Sequence, residues 1–349
     1  MTARSLMLPY HINADEFERA YKNHLSVFRT WEAKEHAEKW LVYSENIGRQ
    51  LCIDETSLSR GELYTIVSNP EAHCRKGSLV AVVKGTKAEE VIKVLKENIS
   101  ESKRLQVKEM TMDYSTSMEK IARFAFPDAK ITIDRFHIQK GCFDALMQVR
   151  SLCLQEAREK EVAERKIHQQ KRREYLLYEK YRHKSKFTFS YIPPQTGAAY
   201  RPLTLRNGDT VCELLVRSRG LLMTPGNQWT DSQKERAELL FHRFPRLKES
   251  YSLTHSLRMI FSNPQATAES ARESILRWCQ KAIAFQNKHF ATVAHTIEAR
   301  LEDILHYFDE RHTNAYAESL NAKIKNFSAA LRGVKDGNFF LFRINMIFS

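Results

Sequence analysis

The sequence predicts an α/β fold, and three observations support this class. Apolar, β-branched runs separated by short turns follow one another from residue 50 onwards, which indicates an antiparallel meander. Two later strand-like runs each follow an amphipathic helical stretch, which is the pattern of parallel crossover connections. Residues 138 to 305 show helical periodicity without a convincing series of strands. The chain therefore combines a mixed sheet with a large helical part.

Five strands and two helices make up the predicted core. The strands of the meander are QLCIDET, ELYTIVS and SLVAVVK, and the turn residues near them are Gly61, Pro70 and Gly77. The two helix–strand pairs that follow are 87–99 with 107–113, and 115–126 with 130–134. The order β-β-β-α-β-α-β, with right-handed crossovers, is the topology of the ribonuclease-H-like fold.

The remaining sequence divides into a preface, an insertion and a closing helical part. In residues 11–48 an apolar stripe favours a simple packing helix over the remnant of a DNA-binding head. The stripe consists of Phe17, Tyr21, Leu25, Phe28 and Trp31. The four predicted segments are an N-terminal helical segment (1–48), the first part of a ribonuclease-H-like catalytic core (49–138), a mostly α-helical insertion (139–308) and the C-terminal helices of the core (309–349).

The charge balance points to a polyanionic partner. Lys and Arg number 55 against 42 Asp and Glu, which gives a formal net charge of +13. Nucleic acid is the obvious partner. A membrane surface is disfavoured, because no run approaches about 18 apolar residues and the first residues lack the core of a signal peptide. We expect a cytoplasmic, nucleoid-associated protein.

Two further features of composition are less specific. Residues 155–186 contain 11 Lys and Arg against 6 Asp and Glu, and a solvated helical face and a phosphate-contacting helix are equally good interpretations. The six cysteines form no C-x-x-C pair, so the sequence predicts neither a zinc ribbon nor a disulfide framework. We expect reduced, buried thiols.

Carboxylates inside two apolar strands are the strongest chemical signal in the sequence. Asp54 lies in LCIDET, where alternation sends Leu51 and Ile53 to one face and Asp54 to the other. Asp113 ends the run MTMD on the fourth strand, which neighbours the first strand in this fold. A buried Asp is rare unless it is paired or coordinates a metal, so the pattern favours a metal site over core packing. Phosphodiester cleavage with two Mg²⁺ ions requires such converging hard ligands.

The third acid is expected on a helix packed over the sheet. Glu318 is the carboxylate inside the last amphipathic helix, which we expect to start near Thr313 and to stop at Gly333. The inward face of this helix consists of Tyr316, Leu320, Ile324, Phe327 and Leu331, and the opposite face of Asn314, Glu318, Asn321 and Lys325. A carboxylate between two amides and a lysine suits a metal ligand with phosphate-contacting neighbours, while surface decoration is the plainer alternative.

Two other acids near these strands are weaker candidates. Glu55 alternates to the face opposite Asp54, so we interpret it as a structural group or as a support for a ligand. Asp134 ends the fifth strand, about 4.8 Å further from the central position. We expect it to orient a ligand rather than to bind the metal.

Four motifs together resemble a known family. They are I-D-E-T-S (53–57), M-D-Y-S (112–115), D-R-F-H (134–137) and N-A-Y-A-E-S-L-N-A-K-I-K (314–325). In order and placement they are similar to the DDE transposases of bacterial insertion sequences, and most closely to the ISL-three-type lineage. The resemblance runs from about residue 50 to the end of the chain, and includes a helical insertion before the helix that carries the Glu.

The resemblance implies a site and a reaction. By position, Asp54, Asp113 and Glu318 would form the metal-binding catalytic triad, and Asp134 with His137 would form the D-x-x-H pair of this lineage. The implied reaction is cleavage at the ends of an insertion sequence, followed by attack of the freed 3′-hydroxyl on target DNA, at two Mg²⁺ or Mn²⁺ ions.

Several side chains are expected near DNA. The predicted contacts on and after the last helix are Asn321, Lys323, Lys325, Arg332 and Lys335. Trp229, in the insertion, could stack on an unstacked base or could be an interior aromatic residue. His137 could contact the scissile region or could satisfy a backbone carbonyl.

The start of the chain departs from the family pattern. Members commonly carry a cysteine zinc motif and a helix-turn-helix that recognise the transposon ends, and neither is seen here. A separately encoded DNA-binding helper protein, or a truncated relic, would account for the difference. We expect a homodimer because two ends must be brought together.

Three functions remain open on the sequence alone. An active transposase is favoured. A cellular ribonuclease-H-like nuclease or resolvase is disfavoured by the long insertion and by the D-R-F-H element, and a non-catalytic DNA-binding relic is the third interpretation. A nuclease would cut DNA without joining it, and a relic would lack metal affinity.

Overall fold

A computed structural model describes the chain over residues 3–59, 61–182, 184, 198–331 and 336–349. The chain forms two compact units. The first comprises Met1–Ile138, Gln265–Glu273 and Ile297–Ser349, and the second comprises Gln139–Pro264 and Ser274–Thr296. The first unit thus takes in residues 265–273 and 297–308, which the sequence analysis groups with the insertion.

The first unit contains a six-stranded mixed sheet. Its strands are β1 (Trp40–Val42), β2 (Gln50–Ser59), β3 (Glu62–Ser68), β4 (Leu79–Lys84), β5 (Glu109–Met112) and β6 (Lys130–Ile133). The strand order is β1-β4-β3-β2-β5-β6, in which β2, β5 and β6 are parallel and the other pairs are antiparallel. The five predicted strands are confirmed, and the turn residues Gly61 and Gly77 adopt positive φ, at +81° and +88°.

Helices account for most of the remaining described residues. The α-helices are α1 (Met7–Tyr10), α2 (Ala14–Ala20), α3 (Ala88–Asn98), α4 (Glu101–Gln106), α5 (Thr116–Ala125), α6 (Arg135–Tyr181), α7 (Val211–Met223), α8 (Asp231–Arg243), α9 (Pro245–Ser262), α10 (Ala268–Ala284), α11 (Lys288–Ala299), α12 (Leu301–Leu305), α13 (Tyr307–Glu310), α14 (Ala315–Ala330) and α15 (Gly337–Phe348). Shorter 3-10 turns lie at Ala3–Leu6, Val27–Thr30, Glu32–Glu35, Ser44–Asn46, Pro70–Ala72 and Gly226–Gln228, and a π turn lies at Tyr21–Leu25.

The prediction that residues 11–48 are helical is wrong for part of this segment. After α2 the chain forms a π turn and two 3-10 turns, and then the edge strand β1, which pairs with β4. The run WLV of β1 is too short to carry a period, so pairing with a distant strand decides its conformation. Of the predicted stripe, Phe28 is buried against Phe339 and Phe342 of α15, whereas Leu25 is 65% exposed.

Two apolar layers cover the faces of the sheet and fix the direction of Asp54. Ile53 of β2 packs in the layer that contains α3 and α5. Asp54 pairs in register with Ile66 of β3, which packs in the layer of α14 and α15. Because residues in register share a face, Asp54 faces α14. The alternation predicted for β2 is confirmed.

Helix α14 agrees with its prediction in most positions. It begins at Ala315, two residues after the expected start, and Leu320 and Ile324 are buried. Tyr316 is the exception, since it is 42% exposed and packs against His73. The predicted stop at Gly333 lies outside the described residues.

The described part of the second unit is mostly helical. It contains most of α6, together with α7, α8, α9 and parts of α10 and α11. At the end of the predicted insertion the helical sequence divides into α10 to α13, with a first break at Gln286, where φ is +54°. The basic segment lies on α6 up to Tyr181, and residues 183, 185 and 186 of that segment lie outside the described residues.

Two expectations from composition can be compared with the structure. All six cysteines are free; Cys52, Cys74, Cys142 and Cys279 are buried, and Cys153 and Cys212 are half-buried. Over the described ranges, no helix combines the length and the apolar character needed to cross a bilayer.

Candidate active site

Three aspartates lie at the same level of the sheet, directly after the ends of β5 and β6 and inside β2, which continues to Ser59. Ile53 of β2 pairs with Met112 of β5, and Met112 pairs with Ile133 of β6. The next residues on the three strands are Asp54, Asp113 and Asp134. Because these residues stand one step beyond paired positions on neighbouring parallel strands, they lie at one level and on one face of the sheet.

Asp54 is half-buried and is held by two neutral donors. Its Oδ1 accepts the backbone N–H of Glu55 at 2.8 Å, and its Oδ2 accepts the side-chain amide of Asn321 on α14 at 2.5 Å. Burial, and next the negative charge of Asp113, raise the pKa of Asp54 to about 6. The pKa of Glu55 is raised as well, first by burial and then by Asp113. These carboxylates repel one another, so a cation would stabilise them.

His137 connects two residues of the predicted triad. Its Nε2 lies 3.0 Å from Oδ1 of Asp113 and 3.6 Å from Oε1 of Glu318. The hydrogen bond to Asp113 raises the pKa of His137 above its usual value, although burial opposes the shift. The imidazole therefore contacts carboxylates, which neither interpretation from the sequence anticipated.

Asp113, Asp134 and His137 form a compact group of possible metal ligands. Their ligand atoms all lie within 4.8 Å of one another. Asp134 is 1% exposed, its Oδ1 has no hydrogen-bond partner among the described residues, and burial raises its pKa. The sequence analysis expects Asp134 to lie too far out for a metal ligand. In the structure Asp134 belongs to the group because α6 begins directly after it, at Arg135. The first turn of α6 carries His137 back towards Asp113 and Asp134.

The predicted triad is less compact than this group. In the described chain, Asp54, Asp113 and Glu318 do not have ligand atoms that are all so close together. Glu318 is the most exposed of the three, with 44% of its side chain accessible, and it reaches Asp113 through His137. Asp54 is coupled to Asp113 by charge. The predicted acids are nevertheless neighbours, because His137 contacts both Asp113 and Glu318 and the charge of Asp113 acts on Asp54.

A family model covers most of this chain. It is the ISL-three-type DDE family described as transposase, and it matches residues 51–344. The chain belongs to this transposase family. The family resemblance of the four motifs is thereby confirmed, and membership implies a DNA substrate. No curated protein and no solved structure matches the chain.

Two asparagines of the transposase contact the strand aspartates. Asn321, predicted to contact DNA, is 5% exposed and donates its amide to Asp54. Asn314, which precedes α14, is 0% exposed and donates its amide to Oδ1 of Asp113 at 3.2 Å. Their spacing from Glu318 gives the shared face. How closely α14 approaches the strands is a tertiary property, so spacing alone did not reveal these contacts.

The two described lysines that are predicted to contact DNA are both exposed. Lys323 donates from Nζ to the backbone oxygen of Cys74 at 3.2 Å. Lys325 is exposed and lines a groove of about 190 Å³ beside β2. Arg332 and Lys335 lie outside the described residues. Their DNA contacts stay predictions.

Trp229, in the second unit of the transposase, makes internal contacts. Its indole N–H donates to the backbone oxygens of Leu221 and Thr224, at 3.1 and 3.0 Å, and its ring centroid lies 5.4 Å from that of Tyr251. These contacts agree with the alternative of an interior aromatic residue. Stacking of Trp229 on a base stays a prediction.

The donor set fits a divalent cation. Carboxylate oxygens are the hard ligands that Mg²⁺ and Mn²⁺ accept. The unpartnered, buried oxygens at the site are Oδ1 of Asp134, Asn314 and Asn321. Among the described residues, no Lys or Arg forms an ion pair with Asp54, Asp113 or Asp134, and His137 is their basic neighbour. The acids are therefore left with charge for a ligand to neutralise.

Proposed function

We propose that this protein is an active DDE transposase, which cleaves DNA at the ends of an insertion sequence and joins the freed 3′-hydroxyl to target DNA. One observation carries the proposal. The register of β2, β5 and β6 sets Asp54 and Asp113 side by side, and α14 brings Glu318 to within contact of His137, which itself contacts Asp113.

A ribonuclease-H-like core is part of this proposal. Without β1, the strand order is β4-β3-β2-β5-β6, with an antiparallel meander followed by two parallel strands. This order supports the assignment, because it is the one expected from β-β-β-α-β-α-β connectivity with right-handed crossovers. In such a sheet the central strand and its parallel neighbour each supply one acid to the same edge.

The site residues have distinct roles in the proposed reaction. Asp54, Asp113 and Glu318 hold the cations, and Asp134 with His137 supports the position next to Asp113. Two Mg²⁺ or Mn²⁺ ions, when bound, would activate the attacking hydroxyl and stabilise the leaving 3′ oxygen. The oxygen of water attacks phosphorus in the first step and the freed 3′-hydroxyl attacks in the second, so the protein forms no covalent intermediate with DNA.

The partners follow from the same reaction. The net charge of +13 and the exposed Lys325 support contact with duplex phosphates. We propose that two copies act together, since two transposon ends must meet, and that the protein works at the nucleoid in the cytoplasm. A DNA-binding helper protein stays a prediction from the sequence.

Substitution of the triad tests the proposal. We expect Asp54→Asn, Asp113→Asn and Glu318→Gln each to abolish Mg²⁺-dependent cleavage of end-bearing DNA and to leave duplex binding largely intact. Asp128→Asn is the matched control, because Asp128 is an exposed acid paired with Lys108 away from these strand ends. Retained cleavage in any triad variant removes that residue from the triad.

An end-joining assay separates the proposal from a nuclease. The wild-type protein should produce joined products between the cleaved end and a target plasmid. Cleavage without joining contradicts transposase activity and favours a nuclease, and the absence of both reactions, with no metal affinity, favours a relic.

A further inference from the structure

The helix that carries Glu318 also supplies one amide to each of the two strand aspartates. Nδ2 of Asn321 donates to Oδ2 of Asp54 at 2.5 Å, and Nδ2 of Asn314 donates to Oδ1 of Asp113 at 3.2 Å. Asn314, directly before α14, shares a face with Glu318 and Asn321 in the helix, because the three are separated by four and three positions. One helix face thus contacts both strand acids and presents the third.

Both asparagine side chains lower the stability of the fold, because each buries an unpaired oxygen. Asn314 is 0% exposed and Asn321 is 5% exposed, and Oδ1 of each is buried without a hydrogen-bond partner among the described residues. A buried, unpaired polar atom destabilises the folded state, whereas an apolar side chain of similar size avoids this cost. Leu320 and Ile324 fill neighbouring buried positions on the same helix. Stability alone therefore does not explain asparagine at these positions.

A neutral donor has an advantage that a charged one lacks. A lysine at either position would neutralise the aspartate and compete with a cation, and a carboxylate would repel it. An amide fixes one oxygen and leaves the negative charge of the aspartate in place. At Asp54 both oxygens are fixed, since Oδ1 accepts the backbone N–H of Glu55 at 2.8 Å.

We propose that Asn314 and Asn321 are positioning residues, which hold Asp113 and Asp54 in the orientation that a divalent cation requires. They act through the aspartates and do not contact the reacting phosphate. Hydrogen bonds that orient metal ligands typically change metal affinity by about 10- to 100-fold when they are removed. The inference rests on the proposed function in one respect, which is that these aspartates bind a cation.

The test is Mn²⁺ affinity, measured by isothermal titration calorimetry on the purified full chain. Asn321→Leu removes the donor and the unpaired oxygen, and Asn314→Ser replaces the amide donor by a hydroxyl on a shorter side chain and keeps a residue that suits a helix start. We expect each variant to bind Mn²⁺ about 10- to 100-fold more weakly. Melting temperature supplies the second readout, and we expect Asn321→Leu to melt no lower than the wild type, because the buried unpaired oxygen is gone.

Asn326→Leu is the matched control, since Asn326 lies on the exposed side of the same helix. It should bind Mn²⁺ as the wild type does. Wild-type affinity in Asn321→Leu or Asn314→Ser, measured below the melting temperature, removes that residue from the proposed role. Equal weakening in Asn326→Leu contradicts the inference, because it shows a general effect of altering α14. If the wild type binds Mn²⁺ and Asn321→Leu binds it weakly, but no DNA is joined, the proposed function fails and this inference stands.

Discussion

Aspartates have opposite surroundings in the two units of this transposase. In the second unit, Asp209 is 2% exposed and forms ion pairs with Arg217 and Arg236. In the first unit, Asp54 and Asp113 accept hydrogen bonds from amides, a backbone N–H and a histidine, and the described residues supply no Lys or Arg partner. One acid is neutralised by the protein, and the other two are not.

This difference separates acids that stabilise the fold from acids that are kept for a ligand. The two arginines neutralise the negative charge of Asp209. In the first unit, burial and next the negative charge of Asp113 raise the pKa of Asp54, so the ionised site disfavours folding until something positive binds. The comparison predicts that equivalent substitutions in the two places have different consequences.

Removal of divalent cations should have the largest effect. We expect EDTA to abolish cleavage and joining, because the strand-end acids then lack their positive partner. Added Mg²⁺ should restore both reactions in the wild type and in Asp209→Asn, but not in Asp113→Asn. The products can be followed on gels with an end-labelled substrate. Restoration in Asp113→Asn would break the comparison.

The pH dependence of the stability of the metal-free protein should sharpen the comparison between the two units. Because the pKa of Asp54 is raised to about 6, the folded chain keeps this proton to a higher pH than the unfolded chain does. The contribution of Asp54 to stability is therefore full below the unfolded pKa of about 3.9 and declines as the pH rises through about 6, by at most about 3 kcal/mol. Urea denaturation from pH 4 to 7 measures this decline. Asp54→Asn should lack it, and an identical decline in that variant would contradict the assignment.

Asp209→Asn should be destabilising without affecting the metal. It leaves Arg217 and Arg236 without their anion, so we expect a loss of about 2 kcal/mol. Urea denaturation measures the loss, and calorimetry with Mn²⁺ measures the affinity. Asp54→Asn should show the reverse pattern, with no loss of stability at neutral pH and weaker Mn²⁺ binding. The same pattern in both variants would remove the distinction between the two places.

Arg236→Gln should have the smallest effect. Asp209 keeps Arg217, and Nε of Arg236 lies 3.4 Å from the carboxylate, so we expect a loss of about 1 kcal/mol. A loss as large as that of Asp209→Asn would mean that Arg236 alone neutralises the acid.

The strand acids could be predicted from sequence because local rules determine them. Alternation in LCIDET fixes the face of Asp54, and Asp113 follows the last residue of an apolar run. Parallel pairing of β2 with β5 then places the two together, and that pairing follows from the order of strands and helices.

The contacts that complete the site depend on tertiary distances, which the sequence does not encode locally. Helical spacing puts Asn321 on the face of Glu318, but only the close approach of α14 to β2 makes Asn321 a partner of Asp54. The turn of α6 likewise brings His137 to Asp113. The short strand β1 was missed for the same reason, since its conformation depends on β4.

The most direct measurement is the position of Mn²⁺ in crystals of the full chain, located by its anomalous scattering. The account predicts a peak at coordination distance, about 2.0 to 2.6 Å, from carboxylate oxygens of Asp54 and Asp113, and no peak at Asp209. A peak held only by other residues, or no peak at the strand ends at a concentration that supports cleavage, would contradict it.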